Sequence, residues 1–174
     1  MPPTPRHLLS LAFLGALALS SGCIVSVKNE ETVAASPVGS SLSDSQDVRK
    51  TLEALNAATT HHDVAATMAL FDDTDDIMLV GSDAGEVFKG RKILSAHLKE
   101  IYALPFALSF DMPSVTVHVE GQTAWIFGEG AEVINEGDGK ITRTPYRFTI
   151  CLVKRGPNWK WQVFSGSVPR PAAP

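Results

Sequence analysis

Apolar residues recur at helical spacing in the first half of the chain. Three stretches place them at positions i, i+4 and i+7, which is one face of an α-helix. These residues are Val48, Leu52 and Leu55; Val64, Met68 and Phe71; and Leu94, Leu98 and Ile101. The stretches follow a capping box over 43–46, Asp63 and Gly90, which are typical helix starts. The pattern predicts three amphipathic helices.

The spacing changes to period two after Pro105. Val115, Val117 and Val119 alternate with polar residues, which is typical of a half-buried strand. Further long strands are predicted over 123–134, 141–154 and 159–167, and two short ones over 77–80 and 87–88. The whole pattern predicts an α+β fold, in which three N-terminal helices pack on a curved antiparallel sheet and leave a cone-shaped cavity between the layers.

The first segment has the organisation of an export signal. Arg6 precedes an apolar run from Leu8 to Leu19, which is shorter than the roughly 20 residues that a membrane-spanning helix needs. Small residues then lead directly to Cys23. This segment resembles bacterial lipoprotein signals, although leucine is expected three residues before the cysteine and Leu19 lies one residue earlier. An ordinary secretory signal and an uncleaved anchor are the alternatives.

The resemblance implies a division of the chain into four parts. They are a signal peptide over 1–22, a lipidated Cys23 with a flexible tether over 23–45, a folded domain over 46–169 and a disordered tail over 170–174. Ile24 stands where some bacteria place an inner-membrane retention Asp. We therefore expect an exported lipoprotein, anchored in the cell envelope by its acyl chains and facing the periplasm, with the outer membrane favoured.

Charge narrows the choice of partners. The 174-residue chain has a net charge of −4, and removing residues 1–22 takes away one basic residue, leaving 14 basic against 19 acidic residues, or −5. An acidic domain without a basic run is not expected to bind nucleic acid. Cys151 lies in an apolar strand pattern and is therefore predicted to be a small buried residue. It is not expected to form a disulfide with Cys23, because lipidation would consume the thiol of Cys23.

Four stretches of the chain carry a family resemblance. They are HHDVAATMALFDD (61–73), GSDAGEVFKGRKIL (81–94), VTVHVEGQTAWIFGEG (115–130) and RFTICLVKRGPNWKWQVFSGSVP (147–169). They resemble the nuclear transport factor 2-like superfamily, and within it the SnoaL-like and ketosteroid-isomerase-like group. The resemblance covers about Gln46 to Pro169 and implies a cone-shaped α+β barrel. It does not imply one function, because this fold hosts isomerases, cyclases, dehydratases, binding domains and non-catalytic subunits.

The catalytic members of this group imply side chains that the chain lacks. They use a Tyr from the first helix, and many carry a His on the last strand, whereas neither the predicted first helix nor 163–167 holds such a residue. We therefore expect a domain that binds a small apolar ligand or acts as a non-catalytic interaction domain, without a cofactor. An isomerase- or cyclase-type enzyme and a homodimeric assembly domain, paired through its open sheet face, are the alternatives.

Three residues are the candidates for the enzyme alternative. Asp76, at the end of an acidic stretch, is the candidate base. Arg147 and Glu129 on the neighbouring strand form a candidate pair that either lines the pocket or lies on a dimer surface. No metal site is predicted, because 72–76 lacks the spacing of a calcium loop and the adjacent His61 and His62 point in opposite directions. His97 and His118 are interpreted as surface or satisfied core residues. The aromatic residues are interpreted as core packing or an apolar ligand wall: Trp125, Phe127, Trp159, Trp161 and Phe164.

Overall fold

A computed structural model describes residues 42–170 of the chain. The predicted signal peptide, Cys23, most of the tether and residues 171–174 lie outside the described residues, so the lipid anchor stays a prediction. Within the described range, no helix is long and apolar enough to cross a membrane. The first helix begins at Leu42, so the last four residues assigned to the tether are helical. Asp44 explains this early start, because it accepts hydrogen bonds from Lys154 and Trp159.

The three predicted helices are present. They are α1 (Leu42–Thr60), α2 (Val64–Leu70) and α3 (Arg91–Tyr102). Asp63 caps α2 as predicted, since its carboxylate accepts the backbone N–H of Ala66 at 2.9 Å. The two histidines before it form the turn between α1 and α2, and His62 takes a positive φ of 56° there. Phe71, predicted on the second helix, lies just beyond its end.

The strands form one six-stranded sheet. They are β1 (Met78–Val80), β2 (Val87–Lys89), β3 (Ala107–Glu120), β4 (Thr123–Asn135), β5 (Ile141–Arg155) and β6 (Asn158–Ser167). Their order is β2-β1-β6-β5-β4-β3, so the sheet has two edges and is curved rather than a closed barrel. The α+β prediction is confirmed, but the sheet is not wholly antiparallel. β1 pairs in parallel with β6. Such a pair needs a long crossover connection, which the elements between these two strands provide.

The core lies between the helices and the inner face of the sheet. Side chains on β5 alternate strictly, with Phe148, Ile150 and Leu152 buried against the helices. Arg147, Thr149 and Cys151 project from the other face. The prediction of a buried Cys151 is therefore wrong: this thiol is free and exposed, because it is in phase with Arg147 and not with Ile150.

The aromatic residues divide between the two faces of the sheet. Trp159, Trp161 and Phe164 are buried in the core. Trp125 projects from the outer face, where 41% of its surface is exposed and its ring stacks on His118. This exposed aromatic group is compatible with a partner on the outer face, and the homodimer stays a prediction.

The free edge of β3 is held by side chains of α1. The Asn56 amide donates to the Phe110 carbonyl at 2.9 Å and accepts the Phe110 N–H at 2.8 Å. Arg49 donates to the Val115 carbonyl at 3.0 Å. These bonds occupy backbone groups that an edge strand would otherwise present to another chain.

The acidic stretch after α2 is not uniformly solvated. Asp73 and Asp76 are exposed, but only 3% of the surface of Asp72 is exposed. Arg155 donates to both oxygens of the Asp72 carboxylate, with the shortest bond at 2.7 Å. The Arg155 guanidinium holds the pKa of Asp72 below its usual range. This pair ties the end of α2 to β5.

Candidate ligand-binding cavity

A half-enclosed cavity of about 270 Å³ lies between the three helices and the inner face of the sheet. Small-molecule sites are usually apolar hollows of about 300–1,000 Å³ with a few polar groups, so this cavity suits a small ligand. Its apolar lining is Leu55, Phe71, Leu79, Leu98, Ile101, Leu108, Phe110, Trp161 and Phe164. Its polar lining is Thr59, Thr67, Ser82, Asp83, Glu86, His97, Tyr102, Glu132 and Tyr146.

Tyr146 places a hydroxyl in the wall of this cavity. Only 4% of the residue is exposed, and its hydroxyl has no hydrogen-bond partner among the residues that the structure describes. No fully buried side-chain polar atom among the described residues lacks a partner, so this hydroxyl opens on the cavity, where it is available to a ligand. Burial, with repulsion from Glu132 and Glu86, raises the pKa of Tyr146 far above its usual value.

The ring of Tyr146 reaches across β6 at Gly166. A Cβ at Gly166 would lie 1.7 Å from the Tyr146 hydroxyl oxygen and 2.5 Å from the ring carbon that bears it. Only a residue without a side chain leaves room for this ring. Gly166 thus sets the position of the hydroxyl in the cavity.

Gly166→Ala is expected to displace Tyr146 and to lower the free energy of unfolding by about 2 kcal/mol, since overpacking of a filled interior costs about 1–3 kcal/mol. Chemical denaturation measures the loss. Ser165→Ala, at the neighbouring position of β6, is the matched control and is expected to change stability by less than about 0.5 kcal/mol. An equally stable Gly166→Ala protein would contradict this account of the Tyr146 position.

Glu132 adds a carboxyl to the same cavity. It lies on β4 opposite Phe110 of β3 and Thr144 of β5, and it is half-buried. Burial raises the pKa of Glu132, and repulsion from Glu86 and Asp83 adds to the effect. The carboxyl is therefore more easily protonated than a solvent-exposed glutamate.

Asp83 and Glu86 come from the turn between β1 and β2. The Glu86 carboxylate accepts the Asp83 N–H at 2.9 Å, and the Gly81 N–H donates to the Glu86 carbonyl at 2.8 Å. The carboxylate lies directly over Gly81, where a Cβ would be 2.0 Å from the nearest oxygen. The turn thus holds both acidic residues at the cavity, within electrostatic reach of Glu132.

His97 and Tyr102 supply the α3 side of the cavity. The interpretation of His97 as a surface or satisfied core residue is corrected, because its ring lines the cavity and stacks on Phe88 with centroids 3.6 Å apart. Burial lowers the pKa of His97, which favours the neutral form of its imidazole. The Tyr102 hydroxyl, unlike that of Tyr146, is paired with the Thr67 hydroxyl at 2.8 Å.

The three residues predicted for acid–base chemistry do not line the cavity. Asp76 is exposed in the loop before β1. Glu129 and Arg147 are directly opposite each other on β4 and β5, as predicted, but both lie on the exposed outer face of the sheet. The pair therefore does not line the pocket, and its alternative placement on a dimer surface stays a prediction. Among the described residues, no group of three or more His, Cys, Asp or Glu residues is arranged to hold a metal ion.

Strand phase could have identified the cavity residues. Glu132 is in phase with Ala124 and Ile126, and Tyr146 is in phase with Phe148, so both face the helices. Neighbouring residues of a strand face opposite sides, so only one of Tyr146 and Arg147 can face the helices. Arg147 was predicted as the site residue, but Tyr146 is the one that lines the cavity. Glu86 and Asp83 gave no comparable signal, because they lie in a turn.

The comparisons with known proteins agree with this geometry. The family model of the SnoaL-like domain matches residues 48–171. The chain belongs to the SnoaL-like domain family. No curated protein matches the chain in sequence.

Solved structures similar to this SnoaL-like domain share its fold. A nuclear transport factor 2-like protein of unknown function from Pseudomonas putida KT2440 is 22% identical, with a TM-score of 0.65 over 75% of this chain and 90% of that chain. A candidate dehydratase of the same superfamily from Streptomyces avermitilis is 18% identical, with a TM-score of 0.67 over 74% of this chain and 98% of that chain. A candidate scytalone dehydratase from Novosphingobium aromaticivorans is 12% identical, with a TM-score of 0.65 over 74% of this chain and 86% of that chain. At these identities the likeness establishes the fold of the SnoaL-like domain alone.

Proposed function

We propose that this SnoaL-like domain binds a small, largely apolar ligand in the cavity, with one polar group of the ligand facing Tyr146. The observation that carries the proposal is the Tyr146 hydroxyl in the cavity wall, which has no hydrogen-bond partner among the described residues. The hydroxyl opens on the cavity, so a polar atom of a ligand can form a hydrogen bond with it there. The aromatic and aliphatic lining supplies the apolar contact area.

Tyr146→Phe is expected to weaken the binding of the neutral probes 2-phenylethanol and 4-phenyl-2-butanone by about tenfold, which is the worth of one hydrogen bond in a desolvated site. The same variant should keep or slightly raise the melting temperature, because the hydroxyl has no partner to lose within the described fold. Isothermal titration calorimetry and thermal unfolding measure the two effects.

Tyr102→Phe is the matched control for this pair of measurements. Its hydroxyl is bonded to Thr67, so the variant is expected to lose about 1 kcal/mol of stability while binding the probes almost normally. A Tyr146→Phe protein that loses stability but binds as tightly as the wild type would contradict the proposal.

A second candidate function is proton transfer in the same cavity. A carboxyl with a raised pKa beside a buried phenol is a combination that can remove a proton next to a carbonyl and stabilise the resulting oxygen charge. The neighbouring folds described as candidate dehydratases support this alternative. The chain would then use Glu132 in place of the predicted Asp76.

Deuterium exchange tests this alternative. The protein is expected to accelerate exchange of the hydrogens next to the carbonyl of 4-phenyl-2-butanone in heavy water, and Glu132→Gln is expected to slow this exchange by about a hundredfold. Proton NMR follows the exchange, and Asp76→Asn is the comparison variant. An exchange rate equal to that in buffer leaves ligand binding as the function.

The leader supports a further part of the proposal. A domain exported and anchored through Cys23 would bind its ligand outside the cytoplasm, so an abundant intracellular metabolite would not be available to it. The ligand would instead be a compound that enters or leaves the cell envelope.

A further inference from the structure

The ionised groups that line the cavity carry one sign of charge. Asp83, Glu86 and Glu132 belong to the lining, and no Lys or Arg does so among residues 42–170. Burial lowers the pKa of His97, which disfavours a positive charge on its ring. A half-enclosed site with apolar walls and charges of one sign concentrates ligands of the opposite sign.

Tyr146 is an observation independent of the acidic residues. The residue is buried in the cavity wall, and its hydroxyl has no partner among the described residues, so it is available to a polar atom of a ligand. A phenol oxygen can accept a hydrogen bond as well as donate one. An N–H group of a ligand would satisfy its acceptor capacity, while the nearby carboxylates would neutralise the charge on that nitrogen.

The walls beside these groups are aromatic. Phe110 lies against Tyr146, with ring centroids 5.6 Å apart, and against Phe164, with centroids 6.3 Å apart. All three residues line the cavity. Faces of aromatic rings attract cations, and they also pack against the apolar body of a ligand.

We propose that the cavity selects ligands in which a protonated amine is attached to a small apolar or aromatic body. The ammonium group faces Glu132 and Tyr146, with Glu86 and Asp83 completing the negative surroundings, and the apolar body lies against the rings of Phe110 and Phe164. This proposal rests on the proposed ligand-binding function and names the chemical class of the ligand. Carboxylates and phosphates of the same size are excluded by repulsion.

Three probes with the same body separate charge from shape. Isothermal titration of the full chain at pH 7 compares 2-phenylethylamine, which is a cation, with the neutral 2-phenylethanol and the anion 3-phenylpropionate. The amine is expected to bind about tenfold more tightly than the alcohol, because a charge-assisted hydrogen bond replaces a neutral one. The anion is expected to bind at least tenfold more weakly than the alcohol.

Glu132→Gln keeps the shape of the side chain and removes its charge. This variant is expected to reduce the preference for 2-phenylethylamine over 2-phenylethanol from tenfold to about threefold or less. Glu120→Gln is the matched control, because it makes the same change at an exposed residue near the end of β3, outside the cavity lining. The control is expected to keep the full preference.

The outcomes separate the two proposals. If 2-phenylethanol binds in a Tyr146-dependent manner but the amine is not preferred, the inference about charge is overturned and the binding function stands. An amine preference that survives in Glu132→Gln also overturns the assignment of the charge to this cavity. If none of the three probes binds at millimolar concentration, both proposals fail.

Discussion

Trp161→Ala is expected to lower the free energy of unfolding by about 4 kcal/mol, within the range of about 3–5 kcal/mol for removal of a buried large aromatic side chain. Only 1% of Trp161 is exposed, and its ring contacts Phe71 edge-on and stacks beside Phe164. Its indole N–H donates to the Thr51 hydroxyl at 3.0 Å, which joins β6 to α1. Chemical denaturation followed by far-ultraviolet circular dichroism measures the loss.

Two further variants make this result specific. Trp161→Phe keeps an aromatic ring but removes the bond to Thr51, and it is expected to cost about half as much. Trp125→Ala removes the same side chain from the exposed outer face and is expected to cost less than about 1 kcal/mol. Equal losses for Trp125→Ala and Trp161→Ala would contradict the assignment of the core to the inner face of the sheet.

Asp72→Ala is expected to cost about 2 kcal/mol at pH 7. The variant removes the acceptor for Arg155 and for the backbone N–H of Asp73, which lies 3.0 Å from the carboxylate. Hydrogen bonds to a charged group are worth about 1.5–3 kcal/mol. Half of the Arg155 side chain is exposed, so water screens the ion pair, and the expected loss is below that of a fully buried pair.

The pH dependence gives a second readout for Asp72. Because the pKa of this carboxyl is lowered by folding, its stabilising effect is fully present above the unfolded pKa of about 3.9 and disappears as the pH falls through the folded value. The difference between wild type and Asp72→Ala should therefore be constant from pH 7 to 5 and shrink below about pH 4. Asp76→Ala, an exposed residue of the same loop, is the control and should show little loss at any pH. A difference that persists unchanged at low pH would contradict the ion-pair explanation.

The helices and long strands could be predicted because their signals are local. Periodic spacing of Leu94 and Leu98 places one face of α3 in the core, and alternation along β5 buries Phe148 and Ile150. The parallel pairing of β1 with β6 could not be predicted in this way. Met78 lies beside Val163 in the sheet, and no local pattern in either segment indicates a partner so distant in the chain.

The cavity residues were harder to predict than the fold. The family resemblance directed attention to a Tyr on the first helix and a His on the last strand, and their absence led us to expect apolar ligand binding or a non-catalytic role. The structure instead supplies Tyr146 from β5 and His97 from α3, so similar chemical groups reach the cavity from other elements. Arg147 was predicted as a site residue because it is charged. Strand phase instead places Glu132 on the inner face of the sheet and Arg147 on the outer face.

The position of β6 in the sheet has a consequence for how the protein is made. This strand is the last of the six along the described chain, yet it lies between β1 and β5 in the interior of the sheet. A nascent chain that still lacks β6 cannot join the β1–β2 hairpin, with its two acidic residues, to the rest of the sheet. Assembly of the complete sheet must therefore wait until β6 has been synthesised.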